Sequence, residues 1–287
     1  MIMDALLAYL TGKFAFSAEL QAFWMAFQGA MTVRRGANKD RNLTWFHAFM
    51  LTVVSSYAGA IFGPFWMGRP TSMLSNDLNF ASCIVAFVFV NQLPFDMGFK
   101  IGNFFPIKFV TTIFAQLFRA MGLIKFCTIA FEVLKGSPSN YYPIPVFGPI
   151  LFATFLGNFG GFFKNGFHEY LRNGMPWPFQ NGFVCATFYH FFVHDQIGFI
   201  GVHLRNAINL IPGIKGGLDD KVFATVVVSA FMHIMAILQL PEFLGPSFSP
   251  FTIIGGVFNA RSKLEAKVEK TKKSENEKIS GGKDKDL

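Results

Sequence analysis

Residues 104–134 have the sequence FFPIKFVTTIFAQLFRAMGLIKFCTIAFEVL, which is long and apolar enough to cross a bilayer. The same stretch carries three cationic residues, Lys108, Arg119 and Lys125. A charged side chain near the bilayer centre costs about 2.5–3.5 kcal/mol on insertion scales, so such residues usually face a polar cavity, a charged partner or a lipid headgroup. The sequence therefore predicts that this stretch borders a permeation path or a lipid-binding site.

The composition of the whole chain is that of a membrane protein. Of its 287 residues, 52% are hydrophobic, 15% are charged and 39 are phenylalanine, and the mean hydropathy is +0.39. Soluble globular domains carry more charge and less aromatic surface. No phosphate-binding loop, paired-carboxylate site or Ser/His/Asp constellation is evident in the sequence. We therefore predict that the protein is not an enzyme and needs no cofactor.

Membrane-length apolar runs predict an all-α membrane protein with seven transmembrane helices. The predicted spans lie near residues 14–33, 43–67, 78–99, 104–134, 144–164, 182–203 and 221–240. Spans one to three and four to six are interpreted as two inverted three-helix repeats, with the seventh helix outside them. We expect residues 1–258 to form this seven-helix domain.

The C-terminal segment differs sharply from the rest of the chain. Between Arg261 and Leu287 there are nine Lys or Arg and six Asp or Glu residues, with almost no large apolar side chain. Such a composition cannot bury a core. Residues 259–287 are therefore predicted to be a disordered, charged cytosolic tail.

Two sequence features support the repeats. Asp96-Met97-Gly98-Phe99 at the end of the third span is similar to residues 195–199, Asp-Gln-Ile-Gly-Phe, in the sixth. The middle span of each half is also rich in glycine, and the residues concerned are Gly59, Gly63, Gly157, Gly160 and Gly161. Glycines in corresponding helices are typical of pore-lining hinges. They are equally typical of close helix packing, and both interpretations stay open.

The cations of the fourth span form a pattern. Lys108 and Arg119 are eleven residues apart and therefore about 20° apart around a helix, with Thr112 and Gln116 on or beside the same stripe. Polar residues in other spans suggest that this stripe faces a wet interior. They are Glu19, Gln21, Gln28, Ser55, Ser56, Asn91, Gln92 and Asn158.

Three explanations of these cations compete: snorkelling to the interface, binding of an anionic lipid headgroup, and voltage sensing. Snorkelling suits Lys108, which lies near the predicted cytosolic end of its span, but it suits Arg119 poorly. Lys125 lies about 120° from Arg119 and shares a face with Glu132, which is its expected partner.

The cysteines and histidines are the candidate metal ligands of the sequence. The three cysteines, at positions 83, 127 and 185, lie in apolar segments without CxxC spacing, which predicts buried free thiols rather than a disulfide or a zinc site. His190 and His194 lie on one helical face next to Asp195, as metal ligation would require. The other four histidines are scattered, however, so the sequence predicts no metal site and disfavours a membrane di-iron oxygenase.

The charges of the loops orient the chain in the membrane. The first connection carries four basic residues and one acidic residue between Arg34 and Arg41. The positive-inside rule therefore places the odd-numbered connections and the C-terminus in the cytosol.

Several short motifs resemble the trimeric intracellular cation (TRIC) channel family, in its B-type form. They are Gly68-Arg69-Pro70, the segment LPFDMGFK at 93–100, Phe105-Pro106-Ile107-Lys108, and Leu171-Arg172 before Trp177-Pro178. The resemblance covers roughly residues 43–240. It implies homotrimers of seven-helix subunits that conduct monovalent cations, mainly potassium, across the endoplasmic or sarcoplasmic reticulum membrane as a counter-ion current during calcium release.

The resemblance also implies a site. In the family, basic residues of the fourth helix bind a phosphoinositide, and the glycine-broken second and fifth helices flank the pore. Arg119 matches one of the basic positions, whereas the companion position falls on or near Gly122. Either Lys125 replaces the companion from another face, or the lipid is held differently.

Two further inferences concern function and location. Inverted repeats with broken helices also suit a secondary transporter of a small solute, which is the alternative to a channel. The chain ends with Lys283 and Lys285 at the fifth and third positions from its C-terminus, the pattern of a retrieval signal on a cytosolic tail. This ending independently favours the endoplasmic reticulum.

Overall fold

A computed structural model describes residues 2–75, 77–136, 140–165 and 176–245. Every regular element in these ranges is a helix, which confirms the all-α prediction. The predicted tail at 259–287 lies outside the described residues. The helices are α1 (Ile2–Leu10), α2 (Ser17–Arg35), α3 (Trp45–Trp66), α4 (Ser72–Ser75), α5 (Asp77–Gln92), α6 (Met97–Asn103), α7 (Phe105–Leu134), α8 (Phe147–Leu156), α9 (Gly160–Asn165), α10 (Trp177–Tyr189), α11 (Phe199–Asn209) and α12 (Asp220–Leu238).

The helices form two hydrophobic cores, one for each half of the chain. The first core joins α2, α3 and α5 through residues such as Phe27, Tyr57 and Cys83. The second joins α7, α8, α10 and α12 and includes Cys127 and Cys185. All three cysteines are buried and free, as predicted. The long helix α7 packs against α2 as well as α12 and thereby connects the halves.

The predicted count of seven transmembrane helices is not confirmed. By length and apolar composition, two helices within the described ranges, α3 and α12, are able to cross a membrane unbroken. Helices α5 and α6 meet at a bend of 95° and count as a third span only if taken together. The predicted spans 78–99, 144–164 and 182–203 are each interrupted, because their helices end at Gln92, Leu156 and His194.

The bend in the predicted third span follows from its local sequence. Pro94 lacks the N–H group that would continue α5, and Phe95 and Asp96 adopt positive φ angles of 58° and 57°. The Asp96 carboxylate accepts hydrogen bonds from Arg34, at 3.4 Å, and from Arg41. The bend thus brings an acidic residue to Arg34 in the last turn of α2 and to Arg41 after it.

The interruption of the predicted sixth span is built around a buried aspartate. Helix α10 ends in a π turn at residues 190–194, and the next residue, Asp195, is fully buried. Its carboxylate accepts hydrogen bonds from the Tyr142 hydroxyl at 2.5 Å and from the N–H groups of Gly198 and Gly201 at 2.8 Å each. Asp96 and Asp195, which the sequence comparison aligned, therefore both lie where a helix ends.

Helices α3, α8 and α9 make close contacts through glycine. A Cβ atom at Gly59 would lie 2.2 Å from the Leu156 carbonyl oxygen, and one at Gly160 would lie 2.3 Å from the Ser55 carbonyl oxygen. Real Cβ atoms do not approach oxygen so closely, so these contacts require glycine. The interpretation of close helix packing therefore applies to both Gly59 and Gly160.

The distortion of α3 does not lie at its glycines, where the sequence predicted it. The backbone is non-helical at Tyr57, with φ −127° and ψ 18°, and the helix continues through Gly59, Gly63 and Pro64 to Trp66. The Tyr57 hydroxyl donates a 2.5 Å hydrogen bond to the Ala22 carbonyl of α2. This hydrogen bond to α2 lies at the kink, whereas the glycines of α3 allow close packing against neighbouring helices.

The packing contact at Gly160 gives a direct test. We expect Gly160→Ala to lower the free energy of unfolding by about 1–3 kcal/mol, because the new methyl group must displace the Ser55 backbone. Gly122→Ala is the matched control, since a Cβ there meets nothing within 4 Å, and its higher helix propensity makes it neutral or stabilising. Denaturant unfolding in mixed micelles measures both. Equal stabilities for the two variants would contradict the close contact.

Candidate functional site

A cavity of about 820 Å³ lies between the two halves of the molecule, and its wall combines apolar surface with polar groups. Helices α2, α3, α7 and α12 contribute to its wall, together with the interruption between α8 and α9. Many of its lining residues carry hydroxyl or amide groups. These are Thr11, Gln21, Gln28, Thr32, Ser55, Ser56, Tyr57, Asn79, Thr112, Gln116, Asn158 and Gln239.

The predicted wet interior corresponds to this cavity only in part. Five of the eight predicted polar residues line it: Gln21, Gln28, Ser55, Ser56 and Asn158. The others do not. Glu19 and Gln92 are exposed, and the Asn91 amide donates to the Phe87 carbonyl of its own helix.

Four of the five predicted hinge glycines also line the cavity. They are Gly59, Gly157, Gly160 and Gly161. Gly63 packs instead against Leu156 and Phe126, whose side-chain atoms lie 2.7 and 2.9 Å from the position of a Cβ. Gly59 and Gly160 thus combine the two interpretations of the sequence, because they pack closely and face the cavity.

Arg119 connects α7 to the interruption between α8 and α9. Its Nε donates to the Gly157 carbonyl at 3.3 Å, and its Nη1 donates to the Gln116 side chain at 3.0 Å. Its Nη2 donates to the side-chain oxygen of Asn158. The Asn158 amide in turn donates to the Thr154 carbonyl at 2.8 Å. The guanidinium group is therefore held in place from three directions.

The position of Arg119 has a physical reason. The last carbonyl groups of a helix have no partner within the helix and form the negative end of its dipole. Helix α8 ends at Leu156 beside the cavity, so an interrupted helix exposes such carbonyls. A guanidinium group that binds the Gly157 carbonyl supplies both the missing donor and a favourable charge.

Lys125 lines the same cavity but lacks the partner that the sequence suggested. Glu132 pairs instead with Lys135, three residues further along the chain. The Lys125 side chain is exposed, and the described residues provide no ion-pair partner for it. The predicted Lys125–Glu132 pair is therefore wrong, because Lys135 competes for the carboxylate at shorter sequence separation.

Lys108 lies in a smaller neighbouring cavity of about 380 Å³ that shares Gln28 and Thr112 with the larger one. Its ammonium group pairs with Glu242, after the end of α12. Through this hydrogen bond Lys108 holds the pKa of the Glu242 carboxyl below its usual range. The sequence offered no signal for this contact, since the residues are 134 positions apart.

The charged side chains among the described lining residues of the large cavity are all basic. Arg119 and Lys125 are the only ionisable cations among its described lining residues, and no acidic residue lines it there. Basic groups in the wall of a cavity attract anionic groups. The cavity is thus suited to an anionic headgroup near α7 and to polar ligands along its carbonyls, hydroxyls and amides.

The structure also assembles a group that the sequence did not predict. Cys127 of α7 lies beside His190 and His194 of the π turn, with one ligand atom of each within 4.8 Å of the others. The spacing of the two histidines was the only sequence signal. The third member comes from a different helix, which spacing within one segment cannot reveal.

The role of Arg119 in holding the interrupted helix can be measured. We expect Arg119→Met to lower the free energy of unfolding by about 1.5–3 kcal/mol, as is typical when hydrogen bonds to a charged group are lost. Lys125→Met removes the same charge from the same helix and cavity but breaks no hydrogen bond, so its effect should stay within about 0.5 kcal/mol. Unfolding in mixed micelles compares the two. A Lys125→Met effect as large as that of Arg119→Met would show that charge alone, not the contact, matters.

The sequence matches no protein-family model and no curated protein, so similarity is found only at the level of structure. Two solved structures of a trimeric intracellular cation channel from C. elegans resemble the chain. The structure in the absence of Ca²⁺ has a TM-score of 0.55 and 15% identity, covering 83% of this chain and 97% of the other. The structure with bound Ca²⁺ has a TM-score of 0.53 and 14% identity, covering 82% and 95%. Together with the broken helices around the cavity, these similarities show that the chain has the fold of the trimeric intracellular cation channels.

Proposed function

We propose that this protein is a cation channel that assembles as a homotrimer in the membrane. The observation that carries the proposal is the cavity between the two halves, which is bordered by the end of an interrupted helix. The fold supports it, because both similar structures are of trimeric cation channels. The alternative, a secondary transporter, shares the broken helices but receives no support from these similarities.

The groups around the interruption suit cations. The C-terminal carbonyls of α8 form the negative end of a helix dipole, and such carbonyls coordinate monovalent cations at broken helices. Ser55, Ser56 and Asn158 add hydroxyl and amide oxygens to the same cavity. A dehydrated monovalent cation would therefore exchange water for oxygen ligands at this point.

Arg119 and Lys125 are the basic groups among the described lining residues of the cavity. We propose that an anionic lipid headgroup, that of a phosphoinositide, binds to them near α7. Arginine binds phosphate oxygens through several donors in a fixed planar arrangement. The exposed Lys125 has no described partner that would compete with a phosphate. Release of the Gly157 carbonyl by Arg119 would at the same time leave an oxygen free for a cation.

The finer aspects of the proposal rest on the sequence. Potassium as the main ion, the reticulum membrane and the counter-ion role during calcium release follow from the resemblance of motifs. The cytosolic C-terminus is proposed from the distribution of basic residues.

The proposed conduction can be tested with the purified full-length protein in planar bilayers. We expect unitary currents on a millisecond timescale, with a reversal potential in asymmetric potassium chloride close to that of potassium rather than chloride. Replacing potassium by sodium on one side then gives the selectivity between the two cations. Solute exchange without unitary currents would instead identify a transporter, and an anion-selective reversal potential would contradict the proposed path.

The lipid site is tested by variants in the same recordings. We expect Arg119→Ala to bind phosphoinositide vesicles at least tenfold more weakly and to open less often, and Lys125→Ala to act in the same direction. Arg69→Ala is the matched control, because this exposed arginine lies outside the cavity. Size-exclusion chromatography checks that all variants form the same assembly. Unchanged lipid binding and gating in Arg119→Ala would refute the site while leaving conduction itself untouched.

A further inference from the structure

The residues Cys127, His190 and His194 form a compact group that plays no part in the proposed conduction path. Cys127 and His190 are fully buried and His194 is half-buried. One ligand atom of each side chain lies within 4.8 Å of the other two. The group therefore has the donor set of a transition-metal site, with one thiol sulfur and two imidazole nitrogens.

The separations fit one metal ion. Two imidazole nitrogens bound to tetrahedral zinc at 2.0–2.1 Å lie about 3.3 Å apart, and a nitrogen and a thiolate sulfur lie about 3.5 Å apart. The Nδ1 atoms of His190 and His194 are 3.2 Å apart. The upper limit of 4.8 Å for the sulfur leaves a shift of at most about 1.3 Å. Such a shift is within reach of a side-chain rotation.

The backbone that carries the histidines is unusual. The N–H of Asp195 donates to the His190 carbonyl at 3.3 Å, which closes a π turn. Single π turns are rare and occur frequently at functional sites. Phe131 of α7 stacks on the His194 ring at 4.5 Å with an interplanar angle of 2°, and this contact fixes the ring beside Cys127.

The ring of His190 is oriented for metal binding. The Pro145 carbonyl faces this ring, whose Nδ1 lies 3.2 Å from that of His194. Metal-binding histidines usually direct their other ring nitrogen to a backbone carbonyl or a carboxylate. The Tyr189 hydroxyl beside the group interacts with Thr128 and with the Cys127 thiol.

Charges of both signs lie around the group. A zinc–thiolate centre with two neutral histidines carries a net charge of +1. A carboxylate acts on each histidine, but that of Glu132 is already paired with Lys135. Lys221 acts on one histidine in the opposite sense, and Arg205 donates to the Asp195 carbonyl. The case for an ion therefore rests on the donor atoms and their spacing rather than on the surrounding charge.

We propose that Cys127, His190 and His194 bind one Zn²⁺ ion, which fastens α7 to the end of α10. On binding, the Cys127 thiol loses its proton to solvent and its sulfur coordinates the metal together with the two imidazole nitrogens. The half-buried His194 provides the route of entry. The fourth coordination position is left to a water molecule, as in zinc sites with three protein ligands.

The test uses full-length protein in detergent, with any histidine tag removed and bound metal stripped by a chelator. Zn²⁺ is then added and the protein-bound metal is measured after removal of the excess. We expect one Zn²⁺ per subunit and a higher unfolding temperature. In a parallel sample, Co²⁺ should give a thiolate-to-cobalt charge-transfer band, which reports directly on a cysteine ligand.

Matched variants separate this site from other thiols and imidazoles. Cys127→Ala and His194→Gln should lower Zn²⁺ affinity at least about tenfold and abolish the charge-transfer band. Cys185→Ala, in the same hydrophobic core, and His203→Gln, on the surface, should retain both. A wild-type protein that folds but gives no such band would show that the histidines only bond to each other. A band that survives in Cys127→Ala, or binding of Cu⁺ without Zn²⁺, would equally overturn the proposal.

Discussion

The hydrogen bond from Arg119 to the Gly157 carbonyl is the interaction on which the arrangement of the cavity depends. Helix α8 ends at Leu156, and backbone N–H groups of the turn that follows bond to the Ala153 and Phe155 carbonyls. The Gly157 carbonyl accepts instead from Arg119, and the Thr154 carbonyl from the Asn158 side chain. Within a membrane protein water is scarce, so such groups must be satisfied by the chain itself. The cation in the middle of α7 therefore supplies a hydrogen-bond donor to the interrupted helix beside it.

The same constraint explains the other interruptions in the described residues. After α5, Asp96 is bound by Arg34 and Arg41. After α10, Asp195 accepts from Tyr142 and from two backbone N–H groups. At these two interruptions an aspartate is bound by groups that lie outside the helix that ends there. Charged side chains in this apolar chain thus stabilise the places where the backbone departs from a helix.

Two glycines both pack closely against other helices and line the cavity. Gly59 and Gly160 allow the backbones of α3, α8 and α9 to touch, and both residues line the cavity. In the proposed function, a headgroup bound by the basic residues of α7 would change the charge of the cavity without any change of fold.

The sequence by itself determined the all-α membrane fold, the division into two halves and the importance of Arg119. These features follow from local quantities: the length of apolar runs, the spacing of glycines, and the cost of a charge within an apolar helix. The break after Leu156 was also predictable, since Gly157, Gly160 and Gly161 all weaken a helix at that point. The similarity of residues 96–99 to residues 195–199 supported the repeats, but only the structure showed that both aspartates lie where a helix ends.

Only the tertiary structure decided which residues meet. Lys108 pairs with Glu242. Glu132 forms its ion pair with Lys135 and not with Lys125. The kink in α3 lies at Tyr57 and not at a glycine. The group of Cys127, His190 and His194 was missed for the same reason. Periodicity describes the face of one helix, whereas these contacts depend on how helices far apart in sequence pack, and that is set by the summed burial and hydrogen bonding of the whole chain.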